Sequence, residues 1–383
     1  MSMLLVLVAL AIWLYLALGR GMFWRASVRD DRAPSPPAAW PRIVAVIPAR
    51  NEADNIGSCI GSLLAQDYQG SLSILLVDDN SEDATAAVAR AAAERSGSQV
   101  RLTVLQGKPL PAGWTGKLWA VKQGIDAAQA EAPDYLLLTD ADIVYDRDVV
   151  SWLTAHAEQG GVVLTSLMAK LRAESLAERA FIPAFIYFFQ MLYPFAWVNR
   201  RDDPMAAAAG GCMLVKAGAL ERAGGIEAIR DALIDDCALA KVMKAQGPIW
   251  LGLTERVRSI RPSEGIAEIH RMVSRSAYAQ LRYSPVLLAL TVLGMALTYW
   301  VAPLAALFGT GMTRLAGLAA WALMAATFWP VLRFYCLSPL WSFTLPAIAT
   351  MYMLFTVSSA VQHALGRGGR WKGRNQAKVH SSS

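Results

Sequence analysis

Eight residues constrain this chain more than any others: Tyr135-Leu136-Leu137-Leu138-Thr139-Asp140-Ala141-Asp142, an apolar run that stops at two aspartates one residue apart. A short apolar run of this kind reads as a strand buried on both faces, the habit of parallel sheets. Side chains at i and i+2 of a strand point the same way, so Asp140 and Asp142 are predicted to converge at its carboxyl end. Carboxylates that close repel each other unless a cation sits between them. The hard ions Mg²⁺ and Mn²⁺ suit such oxygen ligands, with phosphate oxygens completing the shell. Open α/β sheets also bind ligands at the carboxyl ends of their strands. A metal-bound diphosphate site, with Asp140 and Asp142 as ligands, is the expectation; a polar loop that happens to hold acids is the alternative.

The preceding residues repeat the theme. Ile43–Ile47 is a short β-branched strand that breaks at Pro48-Ala49-Arg50-Asn51-Glu52, and a helix begins near Ala53 with Ile56, Ile60, Leu63 and Leu64 on one face. Ile74–Val77 is a second strand, ending in Asp78-Asp79-Asn80-Ser81, where Ser81 is placed to cap an Ala-rich helix running to about Arg95. Val100–Leu105 reads as a third strand, Lys117–Gln129 as a helix and Tyr135–Thr139 as the fourth strand. This alternation predicts an α/β, Rossmann-like and mostly parallel sheet with right-handed crossovers. No G-x-G-x-x-G follows the first strand, which weakens a dinucleotide-binding reading. The polar residues gather instead at four strand or helix ends: Arg50 to Glu52, Asp78-Asp79, Lys117, and Asp140 to Asp142.

Both ends of the chain are apolar. Over 383 residues it is 55% hydrophobic, and the mean hydropathy is +0.34, too high for a purely soluble enzyme. Met3 to Gly19 is near the lower limit of a membrane span. A signal peptide is the competing reading, but there is no basic n-region. Arg20, Arg25, Arg29 and Arg32 follow the run, favouring an uncleaved anchor (1–20) with its carboxyl side in the cytoplasm. Residues 21–41, charged and then proline-rich from Arg29 to Pro41, read as an extended linker. Val286–Phe308, Leu315–Tyr335 and Trp341–Leu365 are each long enough to span, within a closing region 285–365, with Trp300, Trp329, Trp341 and Tyr352 as interfacial aromatics. Buried helices of a large soluble core are the alternative. One span before and three after the middle domain would put the tail (366–383) across the membrane, yet Arg367, Arg370, Lys372, Arg374 and Lys378 should stay cytoplasmic. Either one closing segment is re-entrant or the tail breaks that rule. The net charge of +6 flanks membrane segments, where anionic headgroups attract it, and no aromatic-interleaved basic motif points to nucleic acid. Cys59, Cys212, Cys237 and Cys336 show no CxxC spacing, so neither zinc nor a disulfide framework is expected. His156, His270, His363 and His380 form no cluster.

The set Val46-Ile47-Pro48-Ala49-Arg50-Asn51-Glu52, Val77-Asp78-Asp79-Asn80-Ser81, Gly116-Lys117 and Asp140-Ala141-Asp142 resembles family 2 glycosyltransferases with the GT-A fold, over about Arg42 to Tyr283. The layout of anchor, catalytic domain (42–284) and three closing spans further resembles the hopanoid (hopene)-associated glycosyltransferases of bacteria and, more distantly, ceramide glucosyltransferases. The resemblance implies a UDP-sugar donor. Asp78 and Asp79 would meet its uracil and ribose, Asp140 the ribose or metal, Asp142 the metal, and Lys117 the diphosphate. Pro48, Arg50 and Glu52 would line the donor site. It also implies a base at Leu233-Ile234-Asp235-Asp236-Cys237-Ala238-Leu239. The family usually has Glu-Asp there, so Asp236 inherits the base role beside Asp235; a helix-end acid favoured by the macrodipole is the alternative. Gly210-Gly211-Cys212 resembles the acceptor-side strand, where glycine permits close approach of a ligand. The Q/R-x-x-R-W signature of ceramide glucosyltransferases survives only as Arg282 in Ala279-Gln280-Leu281-Arg282-Tyr283, as a diphosphate ligand or a headgroup anchor. That departure argues against processive polymer synthesis.

Phe181 to Trp197 is aromatic, apolar and interrupted by Pro183 and Pro194. A full crossing would separate Asp236 from Asp140, so the segment 181–199 is expected to lie in the membrane interface beside a lipid acceptor's path; aromatic core packing is the alternative. The functional expectation is a multi-pass enzyme of the bacterial inner membrane. Its catalytic domain would face the cytoplasm and move a sugar, with inversion, from UDP to a lipid, by resemblance a hopanoid. Polyprenyl phosphate or polysaccharide as acceptor, and a non-catalytic membrane scaffold, are the other readings.

Overall fold

The computed structural model describes residues 2–263, 265–366, 370–371 and 374–375. Of the basic tail, Arg367, Lys372 and Lys378 lie outside the described residues, as does His380; Arg370–Trp371 and Arg374–Asn375 form a short antiparallel pair. The chain builds two compact units. One is α/β and holds Val28–Leu171 and Val198–Arg261; the other is helical and holds Met1–Ser27, Arg172–Trp197 and Pro262–Gly369.

The α/β unit is organised by one eight-stranded sheet. Its strands are β1 (Ile43–Ala49), β2 (Leu72–Asp78), β3 (Arg101–Gln106), β4 (Tyr135–Thr139), β5 (Ile143–Tyr145), β6 (Leu164–Lys170), β7 (Cys212–Lys216) and β8 (Ile249–Ser259). They lie in the order β3-β2-β1-β4-β7-β6-β8-β5. Every residue of β1, β2 and β4 is buried, which is why these segments carry continuous rather than alternating apolar runs. β1 is parallel to β2 and β4, and β2 to β3. The predicted parallel half is therefore present, with its polar strand ends at one edge. The other half is mixed, because β7 runs antiparallel to both β4 and β6. The helix Gly116–Ala128 lies so close to the sheet that a Cβ on Gly124 would collide with Val46 Cγ1.

Local chemistry corrects several expectations. β1 continues through Pro48 to Ala49; β4 has left the ladder after Val46, so the missing N–H of Pro48 costs no pairing on that side. Ser81 is not a helix cap. Its hydroxyl accepts from Asn51 N (3.0 Å), while the helix Thr85–Ser96 begins at an Asp83 carboxylate that accepts from Thr85 N (3.0 Å). The linker is anchored near its start: Arg29 bridges Leu253, and the buried Asp30 carboxylate accepts from Thr254 Oγ1 (2.6 Å) and Arg256 Nε (3.0 Å).

In the helical unit, three helices are long and apolar enough to cross a membrane among the described residues: Pro285–Phe308, Gly311–Phe334 and Pro339–Ala364. Met3–Gly19 is a shorter apolar helix. Trp13 Nε1 donates to Thr298 O (2.8 Å), and Arg20 donates to Met191 O (3.0 Å) and Leu192 O (3.2 Å). The helix Leu176–Leu192 carries Pro183 inside it and groups with the apolar helices rather than with the sheet. Tyr187 shares a hydrogen bond with Thr327 (2.9 Å), and Tyr352 donates to Phe181 O (2.8 Å). Tyr352 is thus buried inside the bundle rather than serving as an interfacial anchor.

Glu178 caps the Leu176–Leu192 helix and is fully buried. Its carboxylate accepts from Glu174 N, Ser175 N and Ser263 N at 2.9, 2.9 and 2.7 Å. Burial raises its pKa, but the three N–H donors outweigh burial and hold it below the usual carboxylate range. Its contribution to stability is then present above the unfolded-state pKa and lost as pH falls through the folded one. Glu178→Ala, which orphans three N–H groups, is expected to destabilise by about 3 kcal/mol at pH 7. In thermal unfolding of the detergent-solubilised protein, the gap from wild type should narrow below about pH 4.5.

Candidate active site

The site lies at the carboxyl edge of the parallel strands, and its centre is Lys117. Thr115 caps the helix Gly116–Ala128 by accepting from Leu118 N (3.4 Å), so the first turn projects Lys117 toward the end of β4. Its ammonium sits 2.9 Å from Asp140 Oδ1 and 3.0 Å from Asp235 Oδ2. Burial works against the charged lysine, but Asp140 and Asp235 outweigh it and raise its pKa. Asp140 is raised by burial, with Lys117 opposing and the Asp142 carboxylate adding to the rise.

Asp235 and Asp236 open the helix Asp235–Lys244, and their surroundings differ. Asp235 pairs with Lys117. Asp236 accepts from two backbone amides, Gly210 N (3.0 Å at Oδ2) and Cys237 N (2.7 Å at Oδ1). Burial and then the charge of Asp235 push Asp236 up to about 6, against Lys117 and those amides. Gly210 has room for a Cβ, whose nearest neighbour would be Lys117 Nζ at 3.4 Å, so what this structure asks of Gly210 is its N–H. Gly211 O accepts from Thr139 Oγ1 (2.9 Å) and Tyr145 Oη (3.2 Å), holding the end of β4 beside β7.

Asp142 faces a second cation. Ser259 Oγ donates to Asp142 Oδ2 (2.7 Å), Arg261 Nε lies 3.4 Å from the same oxygen, and Arg261 Nη2 donates to both oxygens of Glu52 (2.6 and 2.7 Å). Ser259 and Arg261 were not foreseen from sequence: Ser259 is 117 residues from Asp142 and neither belongs to a motif. Arg50 braces the strand-end loops by donating to Asp79 O (2.6 Å) and Asn80 O (2.8 Å). Asn51 and Asn80 take left-handed φ values of 51° and 54°, which asparagine tolerates. Asp78 Oδ1 accepts from Ser81 N (2.9 Å), and Asp79 is buried beneath it. Pro48, Lys117, Asp140, Gly210 and Asp235 line one cleft with an apolar floor that includes Met213 and Ile229. The site residues Pro48 to Asp236 thus come together in the α/β unit. Arg282 lies in the helical unit, just before Pro285, with φ 52°. Among the described residues no histidine joins the site; His156 stacks on Trp152 at 4.8 Å.

Among the described residues, no three His, Cys, Asp or Glu side chains form a protein-only metal cage. Asp140 and Asp142 fit a hard divalent cation in a different way: two oxygen donors whose mutual repulsion a cation relieves, with phosphate oxygens from a ligand needed to complete the shell.

Residues 44–224 match the family model described as glycosyl transferase family 2. They form a family 2 glycosyltransferase domain. Over 147 residues the chain is 31% identical to an N-acetylglucosaminyltransferase of Azorhizobium caulinodans, covering 36% of this chain and 34% of the relative. It is 32% identical over 139 residues to an N-acetylglucosaminyltransferase of Rhizobium leguminosarum bv. viciae, covering 36% and 30%. The chain therefore spans about a third of the length of the curated relatives it matches. A solved mannosyltransferase of Pyrobaculum calidifontis, in complex with GDP-mannose and Mn²⁺, superposes with a TM-score of 0.55 at 19% identity, over 94% of this chain and 99% of that one. That likeness is one of fold. The α/β unit has the GT-A fold, and in this glycosyltransferase domain Asp140, at the end of β4, stands beside Lys117.

Lys117→Met would leave Asp140 and Asp235 without their shared cation. These groups are partly exposed, so the cost should fall between that of exposed and buried pairs, about 2 kcal/mol at pH 8. Unfolding measured against pH should show the deficit shrinking as pH falls, because Asp140, held above the usual carboxylate range, takes up its proton.

Proposed function

We propose that this protein is a membrane-bound glycosyltransferase that moves a sugar from a UDP-sugar to the hydroxyl of a lipid, of hopanoid type, with inversion. The observation that carries this reading is the cation-bridged cluster of Asp140, Lys117 and Asp235, with Asp236 next to it, in a family 2 glycosyltransferase domain. The relatives' N-acetylglucosaminyltransferase names make UDP-N-acetylglucosamine the first donor to test. The helices long enough to span support a lipid acceptor and a home in the bacterial inner membrane. The arginines after Met3–Gly19 favour a catalytic unit on the cytoplasmic side, where nucleotide sugars are made.

In this reading Asp78 and Asp79 receive the nucleoside at the end of β2, and Pro48, Arg50 and Glu52 shape the donor loop around it. Lys117 places a positive charge beside the diphosphate, where negative charge grows as the sugar departs. Arg282 is held in the same reading as a headgroup or diphosphate contact near the membrane. Asp140 and Asp142 would hold Mg²⁺ or Mn²⁺, which when bound offsets diphosphate charge. Asp236 takes the proton of the acceptor hydroxyl. The acceptor oxygen forms its bond to the anomeric carbon as the bond to the diphosphate oxygen breaks, and UDP leaves with the electron pair. Asp235 stays paired with Lys117, which leaves Asp236 as the basic partner. Gly210 and Gly211 bring the acceptor side of the cleft against that base.

The test is purified protein in detergent with UDP-N-acetylglucosamine or UDP-glucose and a triterpenoid-containing lipid extract. Mass spectrometry should find a lipid gaining one sugar residue, with stoichiometric UDP release and an inverted anomeric configuration. No glycosylated lipid with any nucleotide sugar overturns the proposal. Asp236→Asn should cut kcat/KM at least 100-fold, with UDP affinity within a few-fold of wild type. For wild type, log kcat/KM should rise with pH and level off near pH 6, where Asp236 loses its proton. Asp235→Asn removes a repelling charge, so that break should move to lower pH.

A further inference from the structure

We infer that Ser259 is a positioning residue for the cation ligand Asp142, and that β8 exists at this edge of the sheet partly to deliver it. The inference rests on the metal reading above and concerns how this chain's own side chains prepare the ligand.

β5 follows Asp142 directly and pairs antiparallel with β8, setting Ile143 opposite Ser259. The ladder continues one step further, with Ile260 N donating to Asp142 O (3.0 Å). The backbone of the ligand residue is therefore tied to the end of β8. Alternate residues of an extended chain face the same way, and Ser259 and Arg261 both reach Asp142 Oδ2, at 2.7 and 3.4 Å. Arg258, one position out of phase, turns away to Asp146 at 2.7 Å.

The two partners of Oδ2 differ in kind. The Ser259 hydroxyl is neutral and makes a short hydrogen bond. It fixes the rotation of the carboxylate and adds no positive charge that would compete with a cation. Arg261 is charged, yet its shorter contacts are to Glu52. Glu52 thus draws the guanidinium away from Asp142. The outcome is a carboxylate held through Oδ2 by a hydroxyl from a different strand, and that bond fixes where Oδ1 lies. Outer partners of ligating carboxylates typically control 10–100-fold in metal affinity. The serine earns its place by removing rotational freedom before the cation arrives.

The experiment is Mn²⁺ titration followed by electron paramagnetic resonance on the full-length protein in detergent, with UDP present, so the readout is free-ion loss and not turnover. Ser259→Ala should weaken Mn²⁺ binding about 10-fold, with a thermal midpoint close to wild type. Ser259→Thr, which restores the hydroxyl on a strand-compatible side chain, should bring the affinity back to within about two-fold of wild type. Equal Mn²⁺ affinity in wild type and Ser259→Ala overturns the inference while leaving the metal reading intact. A threonine variant as weak as the alanine variant also overturns it. Wild-type protein that takes up no Mn²⁺ with UDP overturns the metal reading and this inference together.

Discussion

The Lys117 ammonium joins three pieces of chain: the start of the helix Gly116–Ala128, the end of β4 and the start of the helix Asp235–Lys244. Asp140 and Asp235 raise its pKa against the effect of burial, so the lysine at this junction keeps its charge. The same junction is short of positive charge. Glu52, Asp140, Asp142, Asp235 and Asp236 crowd this edge of the sheet; Lys117 contacts Asp140 and Asp235, and Arg261 contacts Glu52 and Asp142. Burial makes that imbalance expensive, and the upward shifts of Asp140 and Asp236 express the cost.

Two adjacent aspartates at a helix start would ordinarily be interchangeable, since both profit from the N-terminal end of the macrodipole. Lys117 and Gly210 make them different. The ammonium takes Asp235 and so commits it to the framework. Asp236 is left to backbone N–H donors, which orient a carboxylate without supplying the full charge that would quench its basicity. Asp235 then acts on its neighbour through repulsion, raising it toward neutral pH. The division of labour follows from which carboxylate a single lysine can reach. The short aspartate side chain at 235 still reaches Lys117, which comes within 3.0 Å.

In the helical unit, polar groups are used to fasten apolar elements. Tyr187 with Thr327, Tyr352 with the Phe181 carbonyl and Trp13 with the Thr298 carbonyl each satisfy a donor that hydrocarbon could not. Arg20 belongs to this set. In the proposed membrane-anchor reading its charge is a topological signal. In the folded unit, however, its donors go to the Met191 and Leu192 carbonyls and its face lies over Trp197 at 5.1 Å. There it caps the end of the Leu176–Leu192 helix, whose last turn holds no basic residue.

What could be read in the sequence, and what could not, follows from the range of the interactions. β1, β2 and β4 are legible because strands buried on both faces must be apolar at every position, and a polar residue is then allowed only where the strand ends. That rule locates Asp78, Asp140 and Asp142 without any contact information. The orientation of β7 is not legible: Cys212–Lys216 is as apolar as a parallel strand, and its antiparallel course depends on how the long stretch after β6 returns. Ser81 reads as a cap by spacing alone, yet Asp83 offers a charged acceptor nearer the helix start and releases Ser81 to tie two loops. The linker looks solvated because Asp30 is charged, and only the distant Arg256 and Thr254 make its burial affordable. Ser259 and Arg261 mark the limit of the method. Their partners lie more than a hundred residues earlier in the chain, and their own segment reads as the polar end of a strand. Periodicity could place them on a common face, but only the pairing of β5 with β8 says that this face looks onto Asp142.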